Sequence, residues 1–257
     1  MAKWTAFPYD SDGYRLDAAA LKKKWARLHA GDAEPWPLDD KVLAAWSLFH
    51  AGDFQKACEA GLKAGDAGLT VANKAQSIYA NYLEKSEKNK LALFLEVVER
   101  AEAQQKSDPK NPNAYYWMAY ALGRYSQGIS VAKALAQGLG SKVKNALETT
   151  IRLQPKHADA HIALGAFHAE VIDKVGKLLG KTQGADAATG LKMYQQALKL
   201  NPGSAIARIE YANGLVMLEG DKRMKEAEKL YAEAAACEPL DAMERLDVEM
   251  AKEELED

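Results

Sequence analysis

Prolines recur in this chain from residue 109 onward, with the same residue types at fixed distances from them. Pro109, Pro155, Pro202 and Pro239 are separated by 46, 47 and 37 residues. A bulky residue precedes most of these prolines by one fixed number of positions, and a small residue follows most of them by another. Eight residues before the last three prolines are Leu147, Tyr194 and Tyr231, and ten residues after the first three are Ala119, Gly165 and Ala212. Small residues let two helices approach closely and bulky ones fill the remaining space, so the recurrence predicts stacked helical repeats.

The stretch 155–202 has the pattern of one such repeat, two amphipathic helices joined by a break. Its first part contains AxxxLGxxH and its end contains YxxALxLxP. The string GDFQKA at 52–57 places a glycine at an expected turn, where a positive φ must be tolerated. These strings resemble the tetratricopeptide repeat (TPR) family, whose unit is a helix–turn–helix of about 34 residues. The resemblance is strongest over 109–240. It implies an all-α solenoid, a right-handed superhelix of helix hairpins.

Three segments are predicted along the chain. Residues 1–37 hold three of the five tryptophans and one short helix at about 17–29. They are unlike the remainder, as the terminal units of a solenoid usually are, so they are expected to form an N-terminal cap. Residues 38–240 should form about five helix pairs. Residues 241–257 should form a C-terminal capping helix that opens with a capping box.

Two of the predicted repeats are longer than the family unit by about a dozen residues each. The additional residues fall between the two helices of a hairpin in both cases, at 123–142 and at 170–190. Both insertions begin with helical spacing and end in a break that contains glycine. Twelve more helical residues add about 18 Å, so two elongated hairpins are expected. Within the first insertion, Gly140 should end one helix and Ser141 should cap the next.

The TPR resemblance also implies a binding surface, because the first helices of TPR hairpins line a concave groove that takes peptides or partner proteins. From this register, and from the charges beside it, we predict ten partner-binding residues. They are Asn113, Tyr116, Tyr120, Arg124, Asp159, Ile162, Glu170, Arg208, Ile209 and Asn213. The carboxylate clamp of this family needs lysines that are absent here, although Asn213 matches one position. Binding of a chaperone tail is therefore not predicted.

Aromatic residues are concentrated at the start of one predicted first helix. Tyr116 and Tyr120 are four residues apart and share a face, with Arg124 one turn further on. Tyrosine and arginine are favoured anchors in interfaces. Packing against an N-terminal helix or an insertion explains the tyrosines equally well. The carboxylates of Asp159 and Glu170 could complement a basic peptide, or could pair with arginines across the groove.

The elongated hairpins and the string ALGAFHAE also resemble a smaller group of TPR proteins. This group contains bacterial proteins associated with TRAP transporters, and the related regulators of microtubule dynamics. In the transporter-associated proteins the helices surround a pore or pocket that takes small apolar ligands. This resemblance provides an alternative function, a small-ligand carrier whose pocket is closed by the long hairpins and lined by Ile162, Ile206 and Ile209.

Composition excludes several other classes. The net charge of −2 provides no basic field for nucleic acid. There is no run of 18 apolar residues to cross a membrane, and no apolar segment of a signal peptide near residue 1. We therefore expect a cytoplasmic protein, or a periplasmic one if a signal peptide has been removed. Cys58 and Cys237 form no CxxC pair, so a disulfide framework and a thiolate zinc site are not expected.

Catalytic and metal-binding motifs are equally weak. His157 and His161 have the i, i+4 spacing of metal ligands, but no acidic residue completes an HExxH motif. The string GLGSK lacks the spacing of a phosphate-binding loop, and no nucleophile motif is found. The sequence therefore predicts no cofactor, no metal and no enzymatic activity. It predicts a protein-interaction scaffold of unknown partner, which could also be a homo-oligomer.

Overall fold

The computed structural model describes residues 3–256, and these residues form thirteen α-helices, with no strand among them. Short 3-10 helices lie at Asp12–Tyr14, Gly65–Gly68 and Gly220–Arg223. The α-helices are α1 (Ala18–Leu28), α2 (Asp40–His50), α3 (Phe54–Lys63), α4 (Leu69–Tyr82), α5 (Glu87–Ser107), α6 (Pro112–Gln127), α7 (Val131–Ala136), α8 (Leu139–Leu153), α9 (Ala158–Thr182), α10 (Ala187–Leu200), α11 (Ala205–Glu219), α12 (Met224–Ala235) and α13 (Ala242–Glu256).

Side-chain caps explain where many of these helices begin. In each case a short polar side chain before the first turn accepts a hydrogen bond from a backbone N–H that has no partner inside the helix. The capping residues are Asp17, Asp39, Ser86, Asn111, Asp186 and Ser204. Each such cap stabilises its helix by about 1 kcal/mol.

The chain folds into two compact units. Of the described residues, unit 1 contains 3–29, 34–130 and 240–243, and unit 2 contains 30–33, 131–239 and 244–256. In unit 1, α2 packs on α3, α3 on α4, α4 on α5, and α5 on α6. In unit 2, α8 packs on α9, α9 on α10, α10 on α11, and α11 on α12. Consecutive antiparallel packing of this kind is the construction of a helical-repeat protein.

The N-terminal segment of unit 1 lies along α3 and α4. The ring of Trp4 stacks on Tyr79 with 4.3 Å between the ring centroids, and the Trp4 backbone N–H donates to Gln55. Phe7 packs edge-on against Phe54 and covers Gly52. Gly52 has φ 84°, a conformation that favours glycine, so the turn between α2 and α3 needs this residue for its backbone as well as for space.

Unit 2 is organised around Tyr194 of α10, which is 1% exposed. Its ring fills the space beside Gly165 of α9 and Gly214 of α11. A Cβ atom on Gly165 would lie 2.9 Å from the Tyr194 ring, and a Cβ atom on Gly214 would also collide with it. The ring of Tyr211 stacks on that of Tyr194, with 5.4 Å between the ring centroids. The pairing of a small residue with a bulky one that the sequence predicted is therefore present at this helix junction.

The two insertions differ in structure, and the prediction for the first one was wrong. Residues 128–138 leave the path of α6, form the separate short helix α7 and end at Gly138 with φ 62°. Gly140 and Ser141 then lie in the first turn of α8, so neither ends nor caps a helix as expected. The second insertion does lengthen its hairpin, since α9 runs to Thr182. Its regular geometry is interrupted at Gly176, where φ is 79°.

Candidate functional site

The predicted binding residues of α6 lie on one helix face in unit 1, but they differ in exposure along it. Asn113 is 1% exposed, and its side-chain amide donates to the Glu34 carboxylate at 2.5 Å. Tyr116 is 5% exposed and packs against Trp117 and Tyr120. The first half of this face is therefore covered by the chain itself. Glu34, which covers Asn113, lies in the segment that precedes α2.

The second half of the same face is partly exposed. Tyr120 and Arg124 are both half-buried, and the guanidinium carbon of Arg124 lies 5.4 Å from the centre of the Tyr120 ring. Arg124 also donates to Gln127 in the last turn of α6. An arginine placed over a tyrosine ring holds a planar cation beside a large apolar surface, and this combination is favoured at protein interfaces.

A caged lysine lies beside this face, and the sequence reasoning missed it. Lys74 of α4 is 2% exposed. Its ammonium nitrogen lies 5.1 Å from the ring centroid of Phe49, 5.6 Å from that of Trp46 and 5.9 Å from that of Trp117. Three rings thus replace part of the hydration that burial removes from the ammonium. The only signal in the sequence is a single lysine within a helix whose other residues are all uncharged.

The opposite side of α4 carries a network of buried polar groups. Arg100 of α5 donates to Asn73 at 2.9 Å and to Gln76 at 2.8 Å. Burial lowers the pKa of the Arg100 guanidinium. The thiol of Cys58 lies 3.7 Å from Gln76, and burial raises its pKa to about 11. Because the thiolate is the nucleophilic form, Cys58 has the environment of a structural cysteine.

A buried imidazole–carboxylate pair joins α2 to residues 240–243 within unit 1. The Nδ1 atom of His50 lies 2.7 Å from a carboxylate oxygen of Asp241, and the two side chains are 1% and 3% exposed. The ring of His50 stacks on Trp46, with 5.9 Å between the ring centroids. Asp241 was predicted as part of a capping box for the last helix. Its carboxylate also provides a tertiary contact that sequence spacing does not reveal.

The six predicted residues of unit 2 have varied surroundings. Ile162 and Ile209 are 6% and 2% exposed and belong to two different core clusters. Asp159 lies at the start of α9, where its backbone N–H donates to the Gly31 carbonyl. The Asn213 side-chain oxygen accepts a hydrogen bond from Tyr231 at 2.6 Å.

The charged members of this set have neighbours on their own or the adjacent helix. Arg208 donates to the Ser204 carbonyl at 2.9 Å and lies 3.4 Å from the carboxylate of Glu233 in α12. Glu170 lies 3.7 Å from the ammonium of Lys174. The structure therefore does not bring Glu170 and Arg208 together as an ion pair.

The histidines considered as metal ligands have structural roles. His157 caps α9, since its Nδ1 accepts from the Ala160 N–H at 3.1 Å. His161 contacts the Pro155 carbonyl at 3.2 Å and the Met193 sulfur at 3.5 Å. Within residues 3–256, no three His, Cys, Asp or Glu side chains are grouped in a way that could hold a metal ion.

The buried histidines His161 and His168 should make the stability of unit 2 depend on pH. Burial lowers the pKa of His161, and burial together with the nearby Lys144 charge lowers that of His168. Below an ordinary histidine pKa of about 6.5 the unfolded chain therefore binds more protons than the folded chain, and the free energy of unfolding should fall as the pH falls. Urea titrations above and below this pH test the prediction. The change in the free energy of unfolding per pH unit should be smaller in the variant His168→Gln. If that change is the same as in the unmodified chain, His168 is not one of the groups responsible.

None of the described helices is both long and apolar enough to cross a bilayer.

Comparison with known proteins agrees with a helical-repeat fold. A family model described as regulator of microtubule dynamics protein 1-3 matches residues 67–257. Among curated proteins, none matches the chain significantly. A crystal structure of a thermophilic TPR protein from Thermus thermophilus is similar, with a TM-score of 0.58 and 19% identity. The match covers 83% of this chain and 97% of that one.

The structural likeness confirms the predicted fold class, an all-α helix-hairpin solenoid of the TPR type. At 19% identity it is evidence for the fold alone. The family model spans well over half of the chain. The chain therefore belongs to the family of regulator of microtubule dynamics proteins 1-3.

Proposed function

We propose that this protein is a non-catalytic interaction scaffold that binds a peptide or a partner helix along the first helices of its hairpins. The observation that carries the proposal is the partly exposed pair of Tyr120 and Arg124 in the second half of the α6 face. The TPR-type fold supports a binding role in general, and the family description names regulators, which act on another assembly.

The pair defines the chemistry of the partner. The Tyr120 ring provides a large surface with little rotamer freedom to lose, so an apolar or aromatic partner side chain can pack on it. The Arg124 guanidinium, held over that ring, can donate two parallel hydrogen bonds to a carboxylate. We therefore expect the partner to present an acidic residue about one helical turn from an apolar one.

Unit 2 has a candidate contact area of its own, in addition to the α6 face of unit 1. Asn213 of α11 is followed at i+3 and i+4 by Val216 and Met217, which are each 37% exposed. Methionine adapts its shape to different partners because it is unbranched and flexible. We propose these three residues as a second contact area. Asn113, Tyr116, Ile162 and Ile209 are buried in the structure, so we assign them to packing rather than to direct contact.

A peptide selection tests this proposal without a known partner. A displayed library of helix-forming peptides would be selected on the full-length chain, and the dissociation constants of enriched peptides would be measured by fluorescence anisotropy. Tyr120→Ala and Arg124→Ala should each weaken binding about tenfold or more, which corresponds to at least about 1.4 kcal/mol for an interface anchor.

Matched substitutions on other surfaces serve as controls. Tyr125→Ala removes a half-exposed tyrosine from another face of α6, and Arg152→Ala removes an exposed arginine from α8. Both should leave the dissociation constant unchanged. Equal losses in the control and test variants would contradict the proposed face, and so would a failure of the library to yield any peptide.

The alternative function, a carrier of small apolar ligands, gains no support from the residues predicted to line its pocket. Ile162 packs against Tyr194 and Tyr211 in one core cluster, and Ile209 packs with Val248 in another. Side chains that fill the space between helices in this way act as core residues.

A further inference from the structure

The two insertions expose large apolar side chains in unit 2. Leu178 and Leu179, just after the break in α9, are 84% and 59% exposed, and Leu135 of α7 is 48% exposed. None of the residues of α7 is buried. Single exposed leucines are common, but several of them on short, solvent-exposed segments usually mark a contact with another surface.

Both segments lie at the same end of the α8–α9 hairpin. The two helices are antiparallel, so the beginning of α8 lies beside the later part of α9. Gly140 in the first turn of α8 is next to Phe167, and Lys144 is next to Gly184, which follows α9. Helix α7 ends three residues before α8 begins. The exposed leucines of both insertions therefore belong to one end of unit 2.

This end is basic, although the chain as a whole has a net charge of −2. Residues 131–144 contain three lysines and no acidic residue, and residues 173–184 contain three lysines and Asp173. Carboxylates border the region, since Glu148 bonds Lys144, Glu170 lies beside Lys174, and the exposed Asp186 is close to Lys181. Lys177 and Lys181 are exposed; Lys177 precedes Leu178, and Lys181 follows Leu179 by two residues.

We infer that this end of unit 2 docks on the surface of a membrane that contains anionic lipids. Exposed leucines can enter the boundary between headgroups and acyl chains, while lysines on the same short segment remain at the level of the phosphates. Each lysine near such a surface adds electrostatic attraction to the anionic headgroups. Gly176 supports this arrangement, since its break separates the axis of 177–182 from the remainder of α9.

The charge and the form of the patch favour lipid over a protein partner. Its apolar side chains lie on two separate short elements, α7 and residues 177–182 after the break in α9. A fluid interface can accept such isolated side chains without a matching shape. The inference goes beyond the scaffold function and does not depend on it, because none of its residues belongs to the proposed peptide-binding face.

Vesicle flotation with the full chain tests the inference. The protein should float with vesicles of phosphatidylcholine and phosphatidylserine in equal amounts, and it should stay behind with phosphatidylcholine alone. The double variant Leu178→Ser/Leu179→Ser should lower the partition coefficient at least about tenfold. Lys177→Gln/Lys181→Gln should lower it at least about fivefold, and salt should weaken binding of the unmodified chain.

Control variants distinguish the patch from general stickiness. Leu38 is fully exposed but is followed by two aspartates, so Leu38→Ser should have no effect on flotation. Lys110→Gln/Lys199→Gln removes two exposed lysines elsewhere and should have little effect. Circular dichroism would verify that every variant keeps its helices.

Four outcomes would overturn the inference. They are no flotation with either vesicle, equal flotation with both, full flotation of the Leu178→Ser/Leu179→Ser variant, and binding to poly-glutamate in the absence of vesicle binding. The last outcome would identify an acidic protein surface as the partner of this patch.

Discussion

Replacing Tyr194 by alanine should lower the free energy of unfolding by about 3–5 kcal/mol, the range for removing a buried aromatic side chain from a core. The ring is 1% exposed and belongs to a cluster that includes Ile162, Tyr211 and Leu215. Because the ring fills the space beside two glycines, its loss would leave a cavity that rigid helix backbones cannot close. Urea unfolding followed by circular dichroism measures the change.

A substitution at Gly214, which faces the Tyr194 ring, tests the same contact. Gly214→Val would place a side chain where the Tyr194 ring already lies, so it should also destabilise the protein. Tyr115→Ala is the control, because that tyrosine is half-exposed and its hydroxyl donates to the Pro109 carbonyl. A Tyr194→Ala variant that unfolds at the same urea concentration as Tyr115→Ala would contradict the assignment of Tyr194 as the central packing residue.

The second large effect is expected at the caged lysine. Lys74→Glu should lower the free energy of unfolding by about 4 kcal/mol or more, because it places a buried negative charge against the negative faces of three aromatic rings. The ammonium of Lys74 lies within 6 Å of the ring centroids of Phe49, Trp46 and Trp117. Loss of soluble expression, or a sharp fall in the melting temperature, would show this effect.

Two further variants make that result specific. Lys74→Met keeps a long, flexible side chain and removes the charge, so its loss should be smaller than that of Lys74→Glu. Lys110→Glu reverses a charge on an exposed lysine and should change stability by less than about 0.5 kcal/mol. Equal stability of Lys74→Glu and the unmodified chain would show that the three rings do not hold the ammonium as described.

The repeat construction could be predicted from the sequence because its signal is local and periodic. A bulky residue eight positions before a proline, and a small one ten positions after it, report directly on how neighbouring helices touch. At Tyr194 and Gly165 the structure shows that contact. The helix at about 17–29 was predicted for the same reason, since its apolar residues recur at helical spacing, and the structure contains it as Ala18–Leu28. The segment boundaries at 37 and 240 remain a proposal.

The insertions were harder to predict because helical spacing does not show where a helix stops. Glycine tolerates both helical and left-handed backbone, so the same residue type can continue a helix or end it. Gly140 continues α8, whereas Gly138 precedes it with φ 62°. Sequence alone offered no reason to choose between these two glycines.

The candidate site depends on contacts between residues distant in the chain, which periodicity does not report. Asn113 was assigned to a groove from its register, but Glu34 covers it from a segment 79 residues earlier. Lys74 has a polar residue type that is almost never fully buried without partners, so a composition-based analysis places it on the surface. Its burial depends on rings from α2 and α6, which come together only in the folded unit.

Amide hydrogen exchange tests the proposed binding face most directly. The full chain would be compared with and without a saturating peptide from the selection described above. The proposal predicts that bound peptide slows exchange in the second half of α6, from Tyr120 to Gln127, and leaves the second helices α5, α8 and α12 unchanged. Slower exchange confined to those second helices, with none in α6, would contradict it.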